Sequence, residues 1–169
     1  MLIRQETKKD HEEIYNLVKT AFLSAEHSDG NEQDLVISLR KGKSFIPELS
    51  LVAEINKKIV GHIMFSKAKV ENDTVLVLAP LSVLPEYQKQ GIGSALIKKA
   101  HEIAKESGYF YSFVLGSEKY YPHFGYIPAE QLGIKVPEGI PSINFMGIKL
   151  QKNAKPINGK IIYAEEFGL

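Results

Sequence analysis

The segment LSVLPEYQKQGIGSALIKKA, residues 81–100, decides the fold of this chain. A short apolar strand runs into a proline, and a turn that contains Gly91 and Gly93 then leads into a helix. The first turn of a helix presents unpaired N–H groups, and glycine lets the backbone approach an anion closely. The turn therefore predicts a phosphate or pyrophosphate ligand. Side chains that would add donors around the same anion are Gln88, Lys89 and Gln90.

Two familiar phosphate-binding motifs do not match this turn. The dinucleotide fingerprint needs a third glycine where this chain has Leu96. The Gly-Lys-Ser/Thr of nucleotide-triphosphate loops is absent from the sequence. A Gly-x-Gly turn before a helix also occurs in strand–helix connections that bind nothing, so it is weak evidence when taken alone. A different kind of nucleotide-binding domain that uses the same turn is one alternative.

A proline also lies inside the strand that precedes the turn. Pro80 falls within the apolar run at residues 74–83, and proline cannot donate to a central β-ladder. If the neighbouring strand separates there, the backbone groups of Leu81, Ser82 and Val83 need other partners. A pantetheine arm has two amides that would fit such a slot, and its pyrophosphate would reach the glycine turn. The competing interpretation is a β-bulge or an edge strand.

The rest of the chain predicts one α/β domain that covers residues 1–169. Hydrophobic periodicity predicts strands at residues 2–6, 51–55, 58–70, 74–83, 111–116, 144–150 and 160–165. Helices are expected at residues 7–22, 32–40 and 93–107. The strand, helix and strand between residues 74 and 116 predict a right-handed crossover, whose two strands are parallel. The expected architecture is a mixed, mostly antiparallel sheet with a central parallel pair and helices on both faces.

The composition excludes several kinds of function. The chain has 169 residues, a net charge of +1 and no cysteine, which rules out disulfides and thiolate chemistry. No basic patch indicates nucleic acid, and no apolar run is long enough to span a bilayer. No histidine motif has metal-ligand spacing. We therefore expect a cytoplasmic protein without a metal, a nucleic-acid partner or a membrane partner.

The glycine turn resembles a known signature when its neighbours are included. The heptapeptide QKQGIGS, residues 88–94, is similar to the Q/R-x-x-G-x-G/A acetyl-CoA motif of the GNAT superfamily of N-acetyltransferases. Residues 50–70, 79–97 and 114–129 resemble the YhbS-like branch of that superfamily, and the resemblance covers nearly the whole chain. It implies that the pyrophosphate of acetyl-CoA is wrapped by Gln88, Lys89, Gln90, Gly91, Ile92, Gly93 and Ser94.

The resemblance also implies a fold and a reaction. In the GNAT fold the sheet is splayed between its fourth and fifth strands, and acetyl-CoA occupies the opening. By that pattern the segment Leu81, Ser82 and Val83 binds the acetyl carbonyl and pantetheine, with Leu81 and Val83 using their backbones. The implied reaction is direct attack on acetyl-CoA by a primary amine in a ternary complex. The acceptor would be a small molecule or a peptide, and a homodimer is compatible with the family.

Tyr121 is the expected acid for the departing thiolate of the coenzyme. The resemblance implies this role, because Tyr121 stands five residues before Tyr126, as the family's catalytic tyrosine stands before its Gly-aromatic pair. A phenol with a pKa near 10 can donate to a thiolate. Tyr120 is the alternative, and Pro122 predicts a helix start that turns one of the two rings toward the sulfur. The competing interpretation is an aromatic cluster that only packs.

The general base is open at this point. Histone-modifying relatives carry a glutamate at the position that Val77 occupies here, and valine cannot act as a base. We favour Glu32 as the substitute, because it follows the helix break where the family's substrate loop runs. Other candidates for the base are Glu54, His62 and His27. The missing glutamate also supports an alternative function, a non-catalytic acyl-CoA-binding or sensor module with the same fold.

Overall fold

A computed structural model describes residues 1–25 and 28–169 of the chain. The strands are β1 (Leu2–Gln5), β2 (Phe45–Ile55), β3 (Lys58–Val70), β4 (Asp73–Val83), β5 (Tyr111–Leu115), β6 (Ile127–Pro128), β7 (Phe145–Lys149) and β8 (Ile161–Ile162). The helices are α1 (His11–Phe22), α2 (Glu32–Lys41) and α3 (Ile92–Glu106). The strands form one mixed sheet in the order β1-β2-β3-β4-β5-β7-β6, and β8 pairs with β3.

The sheet has the predicted mixture of strand directions. Strands β1 to β4 are antiparallel neighbours, and β5 is antiparallel to β7. The pair formed by β4 and β5 is parallel, as the strand–helix–strand spacing predicted. Helix α3 makes that crossover and ends where expected, since Gly108 adopts φ +87° and its N–H bonds the carbonyl of Lys105 at 3.1 Å. The predicted GNAT architecture is therefore confirmed.

Helices cover both faces of the sheet, as the surroundings of Gly61 and His62 in β3 show. A Cβ added to Gly61 would lie 3.0 Å from the side chain of Ile92 in α3. The next side chain, His62, points the other way toward Glu6, which is bonded to Arg40 of α2. Successive residues of a strand face opposite sides of a sheet, so α2 and α3 lie on opposite faces. The apolar core fills both interfaces, and its largest buried side chains include Tyr126, Phe65, Phe113 and Phe145.

The N-terminal helical segment begins with the predicted cap. The backbone N–H of Thr7 donates to Asp10 Oδ2 at 2.7 Å, and the Thr7 hydroxyl donates to the same oxygen at 3.1 Å. A single 3₁₀ turn at Lys8–Asp10 precedes α1. Arg4 holds Asp10 with two hydrogen bonds of 2.8 and 3.0 Å, and Arg4 lowers the pKa of Asp10 to about 2 against the opposing effect of burial. The cap therefore fixes the end of β1 to the start of α1.

Two strand boundaries differ from the predicted ones, each for a local reason. Strand β2 begins at Phe45, whereas the pattern placed its start at residue 51. Its register with β3 shifts between Phe45 and Ser50, and this irregular stretch accommodates Pro47, which has no N–H to give the ladder. At the C-terminus the strand expected at residues 160–165 pairs only over Ile161–Ile162, because a 3₁₀ turn follows at Glu165–Phe167.

Strand β6 was not predicted. It has two residues, Ile127–Pro128, which pair with β7. Two residues cannot show an alternating pattern, and a proline argues against a strand. The sequence therefore carries no signal for β6, and the strand is recognised only by its pairing with β7.

A buried polar cluster links α3 to β5. His101 of α3 and the Tyr126 hydroxyl lie 3.1 Å apart, and the same hydroxyl lies 2.9 Å from Ser112 of β5. Burial, with a smaller effect of Lys105, lowers the pKa of His101 to about 4. Burial raises the pKa of Tyr126. Both groups are therefore neutral in the folded protein at neutral pH.

We expect this cluster to make stability depend on pH. A histidine with a pKa of about 6.5 when unfolded and about 4 when folded binds protons more readily in the unfolded state. The free energy of unfolding therefore falls as the pH drops from about 6.5 to 4, by up to about 3 kcal/mol for this group. Urea denaturation between pH 7 and pH 4.5 measures the loss, and the His101→Gln variant should show a shallower one.

The comparison with that variant is needed because burial also lowers the pKa of His62, which titrates in the same direction. Glu6 and Asp10, whose pKa values both lie at about 2, lose their contributions at lower pH. An identical pH dependence in the wild type and in His101→Gln would contradict the assignment to His101.

Candidate functional site

Strands β4 and β5 pair over two positions and then separate. Leu76 pairs with Ser112, Val77 pairs with Phe113, and no further pair follows among the described residues. Strand β4 nevertheless continues to Val83, while β5 follows β7 on its other side. The opening that was predicted between the fourth and fifth strands is therefore present after Val77.

The register with β3 decides which backbone groups point into the opening. Leu84 donates its N–H to the carbonyl of Val60 at 2.9 Å, so these two residues form a hydrogen-bonded pair. In an antiparallel ladder such pairs alternate, which makes Ser82 and His62 the next hydrogen-bonded pair. The N–H and C=O groups of Leu81 and Val83 therefore point away from β3 and toward the opening, as the family resemblance implied.

Pro80 lies in a β-bulge. Phe65 pairs with Leu78 and Ile63 pairs with Leu81, so β4 has one more residue than β3 between these pairs. The peptide bond between Ala79 and Pro80 is cis. The bulge that was weighed as a competing interpretation occurs on the β3 side of the strand, and the separation from β5 occurs on the other side. Both features are present at once.

The predicted phosphate turn leads directly from this opening to α3. Gly91 is the N-cap residue with φ +86°, a left-handed conformation that glycine adopts without steric cost. The first hydrogen bond of the helix runs from the Ala95 N–H to the Gly91 carbonyl at 3.0 Å. The N–H groups of Ile92, Gly93 and Ser94 consequently have no acceptor within the helix. They form the positive end of a 15-residue helix.

Two of the three predicted side-chain donors around the turn already donate hydrogen bonds to nearby backbone carbonyls. Gln88 donates from Nε2 to the carbonyl of Val83 at 3.1 Å, and Gln90 donates to the carbonyl of Glu86 at 3.2 Å. Lys89 is exposed with φ +63°. Ile92 is buried, so it offers only its backbone to a ligand. Gln88 and Gln90 thus shape the turn, and Lys89 remains free to approach an anion.

The two tyrosines proposed as acids occupy different places. A Cβ added to Gly93 would lie 2.5 Å from the Tyr120 hydroxyl, which places Tyr120 at the N-terminus of α3. The Tyr121 ring lies against Gly116 at the end of β5 and packs edge-to-face on Tyr120, with ring centroids 5.1 Å apart. Burial raises the pKa of both hydroxyls. Both phenols are therefore protonated at neutral pH and can donate hydrogen bonds.

The candidate bases lie in unlike surroundings. Glu32 is the first residue of α2, where the Ser28 hydroxyl donates to one carboxylate oxygen and the other is buried without a partner among the described residues. Glu54 lies on β2 and accepts a hydrogen bond from Arg4 at 3.0 Å, two strands away from β4. His62 is fully buried on β3. His27 lies outside the described residues. Glu54 is therefore held in an ion pair away from the opening.

The sequence analysis missed a buried polar network around Glu6. Arg40 binds this carboxylate through Nε at 2.8 Å and Nη2 at 3.3 Å, and His11 Nε2 lies 3.0 Å away. The Ser50 hydroxyl donates to Glu6 Oε1, and His62 Nε2 lies 3.1 Å from Ser50 Oγ and 3.4 Å from Glu6 Oε1. Although burial opposes it, hydrogen bonding lowers the pKa of Glu6 to about 2.

No local motif announces this network. Glu6 follows β1, Ser50 lies on β2 and His62 on β3, so the three meet only through strand pairing. The only signal in the sequence was the alternation of side chains along a strand, which puts His62 on the face of the sheet opposite Gly61. Within residues 1–25 and 28–169, the acidic and histidine side chains form no group of three that could hold a metal ion. In the same residues, no helix has the length and apolar character needed to cross a bilayer.

Comparisons with known proteins agree with this geometry. The chain is 45% identical over 115 residues to the uncharacterized N-acetyltransferase YjhQ of Escherichia coli, a match that covers 65% of this chain and 64% of that protein. The crystal structure of the GNAT family N-acetyltransferase YhbS from Escherichia coli, in complex with CoA, superposes with a TM-score of 0.89 at 27% identity. That match covers 99% of this chain and 92% of the other.

A second solved relative and a family match complete the comparison. A GNAT family acetyltransferase from Brucella melitensis, in complex with acetyl-CoA, superposes with a TM-score of 0.81 at 29% identity. The match covers 98% of this chain and 97% of that one. Residues 11–126 match the acetyltransferase (GNAT) family, a segment that contains the opening, the glycine turn and both tyrosines. The chain belongs to the GNAT acetyltransferase family.

Proposed function

We propose that this protein is an acetyl-CoA-dependent N-acetyltransferase that acts on a primary amine by direct attack in a ternary complex. The observation that carries the proposal is the separation of β4 from β5 after Val77, which leaves the inward backbone groups of Leu81 and Val83 unpaired by β5 beside the N-terminus of α3. Two solved relatives bind CoA and acetyl-CoA, which supports the same ligand here.

The coenzyme fits this site as an added strand with a charged end. The amides of pantetheine would pair with the backbone groups of Leu81 and with the N–H of Val83, as a peptide does when it extends a sheet. The Val83 carbonyl already accepts a hydrogen bond from Gln88. The pyrophosphate would meet the N–H groups of residues 91–94 and the helix dipole. The N–H of Leu81 would then be placed to stabilise the oxyanion that forms on the acetyl carbonyl during attack.

In this proposal Tyr121 stabilises the leaving thiolate by donating a hydrogen bond. A thiol has a pKa of about 8.5 and a free phenol one of about 10, so full proton transfer to the thiolate would cost about 2 kcal/mol or more. Burial raises the pKa of Tyr121 further and makes full transfer less favourable. Hydrogen bonds to charged groups contribute about 1.5–3 kcal/mol, and that contribution does not require the proton to move.

The second candidate function is binding of an acyl-CoA without catalysis. Val77 stands where some relatives have a glutamate, and this position is the last one paired with β5. A sensor would keep the opening and the glycine turn and would lose amine chemistry. Glu32, whose second carboxylate oxygen is buried without a partner in the described part of the chain, is the sequence-based candidate for the missing base.

We expect the wild type to release free thiol from acetyl-CoA when a suitable amine is present. A panel of alkylamines, aromatic amines, amino acids and peptides with free N-termini covers the proposed acceptor classes. Thiol release is followed with a chromogenic disulfide reagent, and calorimetry with coenzyme A serves as the control. If the protein binds coenzyme A but no amine in the panel causes thiol release, the result would favour the sensor function over catalysis.

We expect Gly93→Ala to weaken binding of coenzyme A about tenfold or more. The added methyl would collide with the Tyr120 hydroxyl and would fill space at the N-terminus of α3 that an approaching phosphate needs. A tenfold loss of affinity corresponds to about 1.4 kcal/mol. Gly108→Ala is the control, because it strains the other end of α3 at φ +87° with no neighbouring atom near the new methyl. Calorimetry that gives both variants the same affinity would contradict the placement of the pyrophosphate.

We expect Tyr121→Phe and Tyr120→Phe to act on different parameters. Loss of a hydrogen bond to the thiolate should lower kcat for Tyr121→Phe roughly 10- to 100-fold, with coenzyme affinity unchanged. Tyr120→Phe removes a hydroxyl at the N-terminus of α3 and should weaken coenzyme binding more than turnover. Steady-state kinetics and calorimetry separate the two effects, and the reverse pattern would assign the acid to Tyr120.

A further inference from the structure

A row of polar side chains crosses four neighbouring chain segments beneath the coenzyme opening. Glu6 follows β1, Ser50 lies on β2, His62 on β3 and Ser82 on β4. All four are buried, with exposures of 8%, 0%, 0% and 2%. The first three are joined by hydrogen bonds, and His62 and Ser82 form a cross-strand pair. The row therefore runs from the strand that would hold the thioester toward the opposite edge of the sheet.

The hydrogen bonds of Ser50 decide which nitrogen of His62 carries the proton. The Glu6 carboxylate can only accept, so the Ser50 hydroxyl donates to it. Ser50 Oγ can then only accept from His62, which requires a proton on Nε2. The neutral imidazole therefore has its lone pair on Nδ1. Among the described residues that Nδ1 has no hydrogen-bond partner, although it is buried.

Ser82 presents the complementary group. Its hydroxyl is buried and has no partner in the described part of the chain. Its side chain lies on the same face of the sheet as that of His62, because the two residues are directly opposite each other. Their Cα atoms in a hydrogen-bonded pair are about 5.5 Å apart. Ser82 also stands between Leu81 and Val83, whose backbones would bind the acetyl group and pantetheine.

We propose that His62 accepts the proton of the attacking amine through the Ser82 hydroxyl, and that Glu6 stabilises the imidazolium that results. This inference rests on the proposed N-acetyltransferase function. It assigns the base to a residue pair that spans β3 and β4, in place of a carboxylate at Val77 or at Glu32. Ser82 is the group that contacts the reacting amine, and His62 acts through it.

In the proposed reaction the amine loses its proton after the new C–N bond has formed. The amine nitrogen attacks the thioester carbon, and the new C–N bond gives a tetrahedral adduct with a positively charged nitrogen. His62 Nδ1 and Ser82 Oγ are not hydrogen-bonded to each other in this structure, so the transfer requires the Ser82 side chain to rotate toward the imidazole or one water to bridge the two atoms. The nitrogen then gives a proton to Ser82 Oγ while the Ser82 hydroxyl proton moves to His62 Nδ1. The C–S bond then breaks, the thiolate leaves with its electron pair, and the amide forms. The imidazolium is hydrogen-bonded through Nε2 to Ser50 and lies 3.4 Å from Glu6.

The network extends from His62 to the surface of the protein. Glu6, Arg40 and His11 line a cleft on the surface beyond β1. His11 Nε2 lies 3.0 Å from Glu6 Oε2, and the His11 side chain is 37% exposed. The Glu6 carboxylate stays ionised because hydrogen bonds from His62, Ser50 and Arg40 lower its pKa to about 2. Glu6 therefore keeps its negative charge when His62 becomes an imidazolium, and the network ends at the partly exposed His11.

The charges that face His62 set the pH range of the relay. Burial is the larger influence and lowers the pKa of His62, Arg40 lowers it further, and Glu6 raises it. His62 is therefore neutral at neutral pH and able to accept a proton. With an acceptor amine that stays neutral across the range, kcat should fall at a pH below the ordinary imidazole pKa of about 6.5, where His62 becomes protonated.

The first test compares two buried histidines. In His62→Gln the amide nitrogen keeps a donor near the Nε2 position but removes the Nδ1 lone pair. We expect kcat for thiol release to fall on the order of 10²-fold, and the acidic limb of the pH profile to disappear. His101→Gln, a buried histidine outside the network, should keep that limb in place. A folded His62→Gln protein with wild-type kcat and pH profile would overturn the relay.

The second test compares two buried serines. Ser66, like Ser82, is buried with a hydroxyl that has no partner among the described residues. Ser82→Ala should lower kcat and leave coenzyme affinity unchanged, because the backbone of residue 82 is retained. Ser66→Ala should leave kcat unchanged. Equal kcat values for Ser82→Ala and Ser66→Ala would show that Ser82 does not take part in the proton transfer. The relay would also be overturned if Glu32→Gln lost the acidic limb of the pH profile and His62→Gln kept it.

The third test needs no turnover. Nitrogen-15 NMR of the wild type reports the imidazole tautomer, and we expect His62 to carry its proton on Nε2 near pH 7. Coenzyme A should shift the His62 resonance in the wild type more than in Ser82→Ala. An Nδ1–H tautomer would overturn the relay whatever the activity of the protein. A wild type that shows the expected tautomer and acetylates no amine would instead overturn the proposed function.

Discussion

The structure depends on one constraint, which is that β4 cannot pair on both sides beyond Val77. Its neighbour β5 turns away to follow β7, and the inward N–H and C=O groups of Leu81 and Val83 lose their ladder partners on that side. Backbone groups that lose a ladder partner need other hydrogen bonds, so a ligand that carries amides would suit the opening. The opening ends at the N-terminus of α3, which adds a preference for an anion at the far end of the ligand.

The Glu6 network shows how the opposite face of the sheet satisfies a buried charge. A carboxylate that is only 8% exposed would be costly without partners, and here Arg40, Ser50 and His11 supply them. His62 stays neutral beside this charge chiefly because burial lowers its pKa, and Arg40 adds a smaller effect in the same direction. The Nδ1 lone pair of that neutral imidazole lies beneath the opening between β4 and β5 and has no hydrogen-bond partner among the described residues.

Local patterns predicted the fold and the glycine turn before α3 well, and long-range contacts poorly. The strand-like run at Lys58–Val70 predicted both ends of β3 correctly, and the glycine turn predicted a helix at residues 93–107, one residue later at each end than α3. The contact between Glu6 and His62 spans 56 positions in sequence and depends on the register of three strands. No periodicity encodes that register. Likewise the order of Tyr120 and Tyr121 around the opening depends on close approaches to Gly93 and Gly116.

The alternation of residues along β4 places the opening next to the buried His62. Leu81 and Val83 turn their backbones toward the opening in the plane of the sheet, while the side chain of Ser82 between them points to the His62 face. The glycine turn begins α3, which packs on the other face through Gly61. An amine that approaches from the side of α1 and α2 would thus meet the thioester and a buried proton acceptor together, and the coenzyme's phosphates would stay on the side of α3. A shift of one residue in the register of β4 would exchange these faces and separate the two functions.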